Sequence, residues 1–199
     1  EKKTLAEPTF NYVTGDKVEY GTAITFQYSP NDALLFYTTD GTEPTEEDEC
    51  YNPSGNGIIL TEAVTTITAK LFHSNYHPSK ALGHTYYVSI AEPVISAPDG
   101  KTTITTLEEI SITHDRKNID IYYTTDGTEP TEDMDEYEKP FTIDRAGVVV
   151  VKVLAVVGGI KSTAEKVFTV IDPADAYLDT LSVKDKNGKE LLTNFAKTQ

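Results

Sequence analysis

The sequence has 199 residues, with no tryptophan, one methionine and one cysteine, and each shortage narrows its reading. Cys50 has no partner for an internal disulfide, so the fold must be held by its core; this suits a secreted protein and a cytoplasmic one almost equally. Without tryptophan, stacking on the apolar face of a sugar ring falls to the 12 tyrosines. Basic residues are scarce: 17 Lys and Arg against 32 Asp and Glu give a formal charge of -15, which repels a phosphate backbone and argues against nucleic acid as a partner. No apolar run approaches the roughly 18 residues of a membrane-spanning helix, so no transmembrane segment is expected. The chain starts at Glu1 with no charged-then-apolar leader, as expected of a processed chain or one whose leader has been removed. No segment carries an apolar 3.6-residue period, no Gly-rich phosphate loop opens a helix, and no Gly-x-Ser-x-Gly elbow occurs.

What is present is a repeat. Tyr37-Thr38-Thr39-Asp40-Gly41-Thr42-Glu43-Pro44-Thr45 recurs unchanged as Tyr123-Thr124-Thr125-Asp126-Gly127-Thr128-Glu129-Pro130-Thr131, 86 positions later. At that offset Ile24, Phe26 and Tyr28 match Ile110, Ile112 and His114, Leu35 matches Ile121, Tyr51 matches Tyr137, and Ala69 matches Ala155. The period exceeds the roughly 20 to 50 residues of solenoids and propellers, so it predicts two similar domains in tandem. Their expected bounds are 1–90 and 91–171. Residues 172–199 depart from the repeat: Leu181-Ser182-Val183, an Asn187-Gly188 turn and Leu191-Leu192 suggest a hairpin. That piece is either an extension of the second domain or the start of a further module.

Short alternating runs dominate each copy. Ile119, Ile121 and Tyr123 share one face against Asp120 and Tyr122, and Ala33, Leu35 and Tyr37 form the matching inward row. Val149, Val151, Val153 and Ala155 make another. Turn residues separate these runs every 8 to 12 positions or so, the spacing of a sandwich or barrel. In the repeated string Asp-Gly supplies a carboxylate for local amides and then a residue free to adopt positive φ, while Pro44 and Pro130 stop the strand from continuing. The predicted fold is all-β: two tandem small antiparallel β-sandwiches with a C-terminal hairpin-like extension.

A strand followed by Tyr-Thr-Thr-Asp-Gly-Thr-x-Pro-Thr, an acidic spacer, a tyrosine, and a β-rich stretch ending in Ala with a later Ser resembles the chitobiase/β-hexosaminidase C-terminal domain family, in two copies over Glu7 to Val88 and Glu92 to Val170. The resemblance implies an immunoglobulin- or fibronectin-III-like sandwich without catalytic residues. It also implies an accessory module of a secreted or cell-surface bacterial protein, periplasmic or outer-membrane attached in some settings, and a link to glycan processing. Tyr37, Asp40, Gly41 and Pro44, with Tyr123, Asp126, Gly127 and Pro130, are then fold determinants.

Candidate ligand chemistry lies in three places. Thirteen acids cluster in the two corresponding loops, from Asp40 to Glu49 and from Asp126 to Glu138. Calcium takes six to eight oxygen ligands, and Asp40, Glu43 and Glu46, or Asp126, Glu129 and Glu132, are its candidate donors, although the Asp-x-Asp-x-Asp-Gly alternation is missing. A solvated loop explains the same acids, and no cofactor is expected. A glycosidase needs two carboxylates about one bond, but a pair of duplicated active sites in two small sandwiches is an unsuitable frame, so no enzyme is expected. The second place is the segment after Ala69, three residues longer up to Ser79 than the matching stretch from Ala155 to Ser162. It carries His73, Tyr76 and His77; their His-x-x-x-His spacing would need a helix to hold zinc, and the segment reads as a loop. The third is Tyr122, on the outward face of its strand. The expected partners are a glycan, met at these residues, or adjacent domains of the same polypeptide.

Overall fold

The computed structural model describes residues 1–174, 183, 184, 186 and 190–192. The chain forms two compact units: Glu1–Ala91 with Val156–Lys161, and Glu92–Ala155 with the chain from Ser162.

In the first unit the strands are β1 (Thr9–Phe10), β2 (Lys17–Glu19), β3 (Ala23–Ile24), β4 (Phe26–Gln27), β5 (Leu34–Thr38), β6 (Glu49–Cys50), β7 (Ile58–Ile59), β8 (Val64–Phe72) and β9 (Leu82–Ser89). They make a five-stranded sheet in the order β2-β9-β8-β5-β6, with the short pairs β1-β4 and β3-β7 facing it across the core. Of the predicted inward row, Ala33 and Leu35 are buried and Tyr37 is half-buried; Ile24, Ile67, Ala69 and Leu71 are fully buried with Leu35, joined in the core by Phe10, Phe26, Tyr51 and Tyr86. Burying each large aliphatic side chain contributes about 1.5–3 kcal/mol. Phe10, Phe26 and Tyr51 meet edge to face, with centroids 4.6 and 4.8 Å apart.

The second unit repeats this plan with β10 (Val94–Ser96), β11 (Thr103–Thr105), β12 (Ser111–Thr113), β13 (Asp120–Thr124), β14 (Gly147–Val157) and β15 (Ile160–Ile171). Its larger sheet runs β11-β15-β14-β13, and β10 pairs with β12 as β1 pairs with β4. Ile110, Val151, Val153, Ala155 and Phe168 are fully buried. A 3-10 turn at Pro98–Gly100 precedes β11.

One feature of the topology departs from an antiparallel sandwich. In each unit an edge strand pairs parallel to the last long strand, β2 with β9 and β11 with β15. The rest of each sheet is antiparallel, and the parallel partner is reached by crossing from one layer to the other, which a two-residue hairpin cannot do. Towards the C-terminus, β16 (Val183–Lys184) and β17 (Glu190–Leu192) pair antiparallel, as the hairpin reading requires; Asn187-Gly188 lies outside the described residues. Among the described residues no helix is long and apolar enough to cross a membrane.

Candidate functional site

The repeated string builds the same turn twice. Asp40 Oδ1 accepts from the Thr42 N–H at 2.9 Å and from Thr42 Oγ1 at 2.6 Å, and Thr38 Oγ1 donates to the Thr42 carbonyl at 2.6 Å. In the second copy Asp126 Oδ1 accepts from Thr128 N–H and Oγ1 at 3.0 and 2.6 Å, and Thr124 Oγ1 donates to the Thr128 carbonyl. Gly41 and Gly127, at φ 86 and 84, occupy the left-handed region that the turn needs. Pro44 and Pro130 are buried beneath it. The Thr42 and Thr128 hydrogen bonds hold Asp40 and Asp126 below the usual carboxylate pKa.

The other acids proposed for calcium are placed as follows. Glu43 pairs with Lys70 at 2.6 Å, and Glu129 pairs with Lys152. Glu46 lies at the rim of a depression in the first unit. Glu132 stands near enough to Tyr122 to help raise its pKa, after burial and alongside Asp120 and Glu136. Among the described residues no three His, Cys, Asp or Glu side chains converge to hold a metal ion. Cys50 is exposed and free.

The long loop of the first unit leaves β8 at Phe72 and is pinned to the N-terminal segment by the Thr4–His77 bridge, with Leu5 N–H donating to the His77 carbonyl and His77 N–H to the Lys3 carbonyl. His73 is packed inward, its side chain 12% exposed, with Nε2 3.2 Å from Asp32 Oδ2 and Nδ1 accepting from the Asn75 N–H. Its ring meets Tyr76 edge to face at 5.1 Å. These two residues line a depression of about 530 Å³ together with the apolar Leu34, Phe72 and Pro78 and the polar Lys2, Asp32, Glu46 and Ser74. His77 is exposed and is not among the residues that line it. Tyr122 belongs to the second unit, where it is half-buried and bridges to Glu136, less open than its place in the alternation predicts.

A second kind of depression escaped the sequence reading. Beside the repeated string, the first copy has a hollow of about 370 Å³ lined by Tyr37, Thr38, Thr39, Asp40, Thr42, Asp48 and Glu49. Its counterpart measures about 770 Å³; there Met134 replaces Asp48 and Asp135 replaces Glu49, and Asp133, Phe141, Thr142 and Arg145 join the lining. Tyr123 and Phe141 stack there, centroids 4.3 Å apart and 23° between planes. The signal was present as the differences between the copies within the acidic loop, which similarity alone passes over.

The sequence model of the chitobiase/beta-hexosaminidase C-terminal domain family matches residues 13–82 and 98–169. No curated protein matches the chain. Among solved structures, the D00-D0 domain of intimin is similar at 12% identity and TM-score 0.32, covering 83% of this chain and 99% of that one. Drosophila N-cadherin EC1-3 is similar at 17% identity and TM-score 0.27, covering 83% and 68%. The fibronectin(III)-like modules of Clostridium thermocellum CbhA are similar at 12% and 0.28, covering 84% and 95%.

Proposed function

The chain belongs to the chitobiase/beta-hexosaminidase C-terminal domain family, in two tandem copies, and we propose that it is a non-catalytic accessory or spacer module of a secreted or cell-surface bacterial protein concerned with glycans. The observation that carries this reading is the fate of the duplicated carboxylates. Asp40 and Asp126 satisfy their own turns, and Glu43 and Glu129 neutralise lysines of the neighbouring strand. The one feature that both copies share to the letter is used to fold them. The family supports the same reading, since its chitobiase namesake domain is accessory to the catalytic part. Incubating the chain with chromogenic N-acetylhexosaminides and with soluble polysaccharides tests it. No release of product is expected, and turnover abolished by Asp40→Asn or Asp126→Asn would overturn it.

A second reading is favoured by the depression at His73 and Tyr76. A depression lined by apolar and aromatic side chains with a few polar groups is the usual make-up of a small-molecule site, and this one draws His73, Ser74, Tyr76 and Pro78 from the loop that is shorter in the second copy. In this reading the first unit contacts a glycan there. Tyr76→Ala should then reduce sugar binding in a glycan-array measurement made at a temperature where the variant is folded, since Tyr76 also packs against the core and its loss lowers the melting temperature.

A further inference from the structure

We propose that the hollow beside the repeated string in the second unit is a binding site for a neutral glycan, at a place where the first unit has a smaller hollow whose polar groups are tied up in internal bonds. The inference rests on the reading of the chain as a glycan-associated module and assigns it a second, independent contact.

The first copy spends its polar groups on itself. Asp48 Oδ2 accepts from Thr45 N–H at 2.7 Å and from Thr45 Oγ1 at 2.9 Å, and the Tyr37 hydroxyl donates to Glu49 at 3.2 Å. Each of these bonds is undone in the second copy. Met134 stands where Asp48 stands, 39% exposed, and Thr131 loses its carboxylate cap. Asp135 replaces Glu49, one methylene shorter, and the Tyr123 hydroxyl has no protein partner among the described residues.

The walls change as well. Ile24 bridges to Ile58 in the first unit, whereas Ile110 bridges to Phe141 in the second, so an aromatic ring replaces an aliphatic chain and stacks on Tyr123. From there to the matched core residues Ile67 and Val153 the second copy is longer, and the added loop carries Arg145. Arg145 donates to the Thr125 carbonyl, lies near enough to Asp126 to help lower that carboxyl's pKa, and is an exposed member of the hollow's lining with five N–H donors.

These groups select a ligand class. Tyr123, Phe141 and Met134 offer an apolar, partly aromatic surface. Arg145 and the Tyr123 hydroxyl donate, while Asp133 and Asp135, lining the same hollow, accept. A polyanion would meet those two carboxylates and a net charge of -15. A purely apolar partner would leave the guanidinium and carboxylates desolvated without bonds. Vicinal hydroxyls both donate and accept, and a pyranose ring offers C–H faces to the aromatic and thioether surface.

The test is calorimetric titration of the full chain with cellohexaose, maltohexaose, chitohexaose and, as charged control, an oligogalacturonate. At least one neutral hexasaccharide should bind. Met134→Asp, which restores the first copy's residue, and Arg145→Ala should each weaken that binding about tenfold or more. Met134→Asp should leave the melting temperature unchanged or higher, since it supplies the missing cap. Binding of none of the neutral sugars, binding of the oligogalacturonate alone, or binding unaffected by both variants would overturn the proposal. If Tyr76→Ala alone abolishes binding, the first-unit contact stands and this one falls.

Discussion

Replacing Gly41 with alanine tests the turn where its geometry is most demanding. At φ 86 an added Cβ enters the left-handed region, which costs a non-glycine residue about 1–2 kcal/mol. Reduced freedom of the unfolded chain returns about 0.4–1 kcal/mol, leaving a net loss near 1 kcal/mol from backbone strain. Gly41 carries a second penalty: its Cβ would lie 3.1 Å from Thr66 Cγ2. Thr66 cannot turn away freely, because its hydroxyl is 2.9 Å from that of Thr85. Displacing a held rotamer adds about 0.5–1.5 kcal/mol, so Gly41→Ala should cost about 2 kcal/mol. At Gly127 the nearest neighbour is Val150 Cβ at 3.6 Å, ordinary contact, so Gly127→Ala should cost only the backbone share. Calorimetric unfolding of the full chain should show a fall of about 4–8 °C per kcal/mol for a domain of this size. Thr66→Ser keeps the hydroxyl and removes the methyl, so in that background the extra cost of Gly41→Ala should vanish. A neutral Gly41→Ala, or a penalty that Thr66→Ser leaves intact, would refute the reasoning.

Further predictions follow the same contacts. Asp40 and Asp126 titrate below the ordinary carboxylate range when folded, so they stabilise the fold above the unfolded Asp pKa. That contribution is lost as pH falls through the lower folded value; Asp40→Asn with Asp126→Asn should flatten the acid limb of a melting-temperature profile, and an unchanged limb would count against the bonds. Tyr86 is fully buried and donates to the Tyr12 carbonyl at 2.9 Å, and burial pushes its pKa upward. Tyr86→Phe should cost about 0.5–1.5 kcal/mol, the net worth of one hydrogen bond, since Tyr12 is itself exposed, measured by denaturant unfolding. Leu71→Ala, at a residue with no exposed surface, should cost about 2–5 kcal/mol in the same assay.

The inward rows were legible because a strand's side chains alternate: Leu35, Ile121, Val151 and Val153 sit in the core as their period requires. The Asp-Gly turn was legible because all of its bonds lie within five residues. Pairings between distant residues were not. The parallel edge strands Lys17–Glu19 and Thr103–Thr105 carry no local mark of their partners. Phe36, Leu154 and Val156 fall on the face that alternation assigns outward, yet all three are buried. For Phe36 the cause is Phe72, an edge-to-face contact at 5.6 Å supplied by the adjacent strand. The lysine partners of Glu43 and Glu129 do not occupy matching positions: Lys70 corresponds to Val156, and Lys152 to Thr66. The hollow of the second unit draws Tyr123, Met134, Phe141 and Arg145 from a strand and separate loops, so only three dimensions bring them together.

The central claim is that positions shared by the two copies build the fold, and positions that differ make the contacts. Its most direct test is one titration series on the full chain with a bound neutral hexasaccharide, comparing Asp40→Asn, a shared carboxylate outside the second unit's hollow, against Met134→Asp, at a position where the copies differ. The account predicts affinity retained, with stability reduced at neutral pH, for Asp40→Asn and affinity lost, with the melting temperature kept, for Met134→Asp. Loss of affinity for Asp40→Asn in a chain that remains folded, with Met134→Asp binding as before, would contradict it.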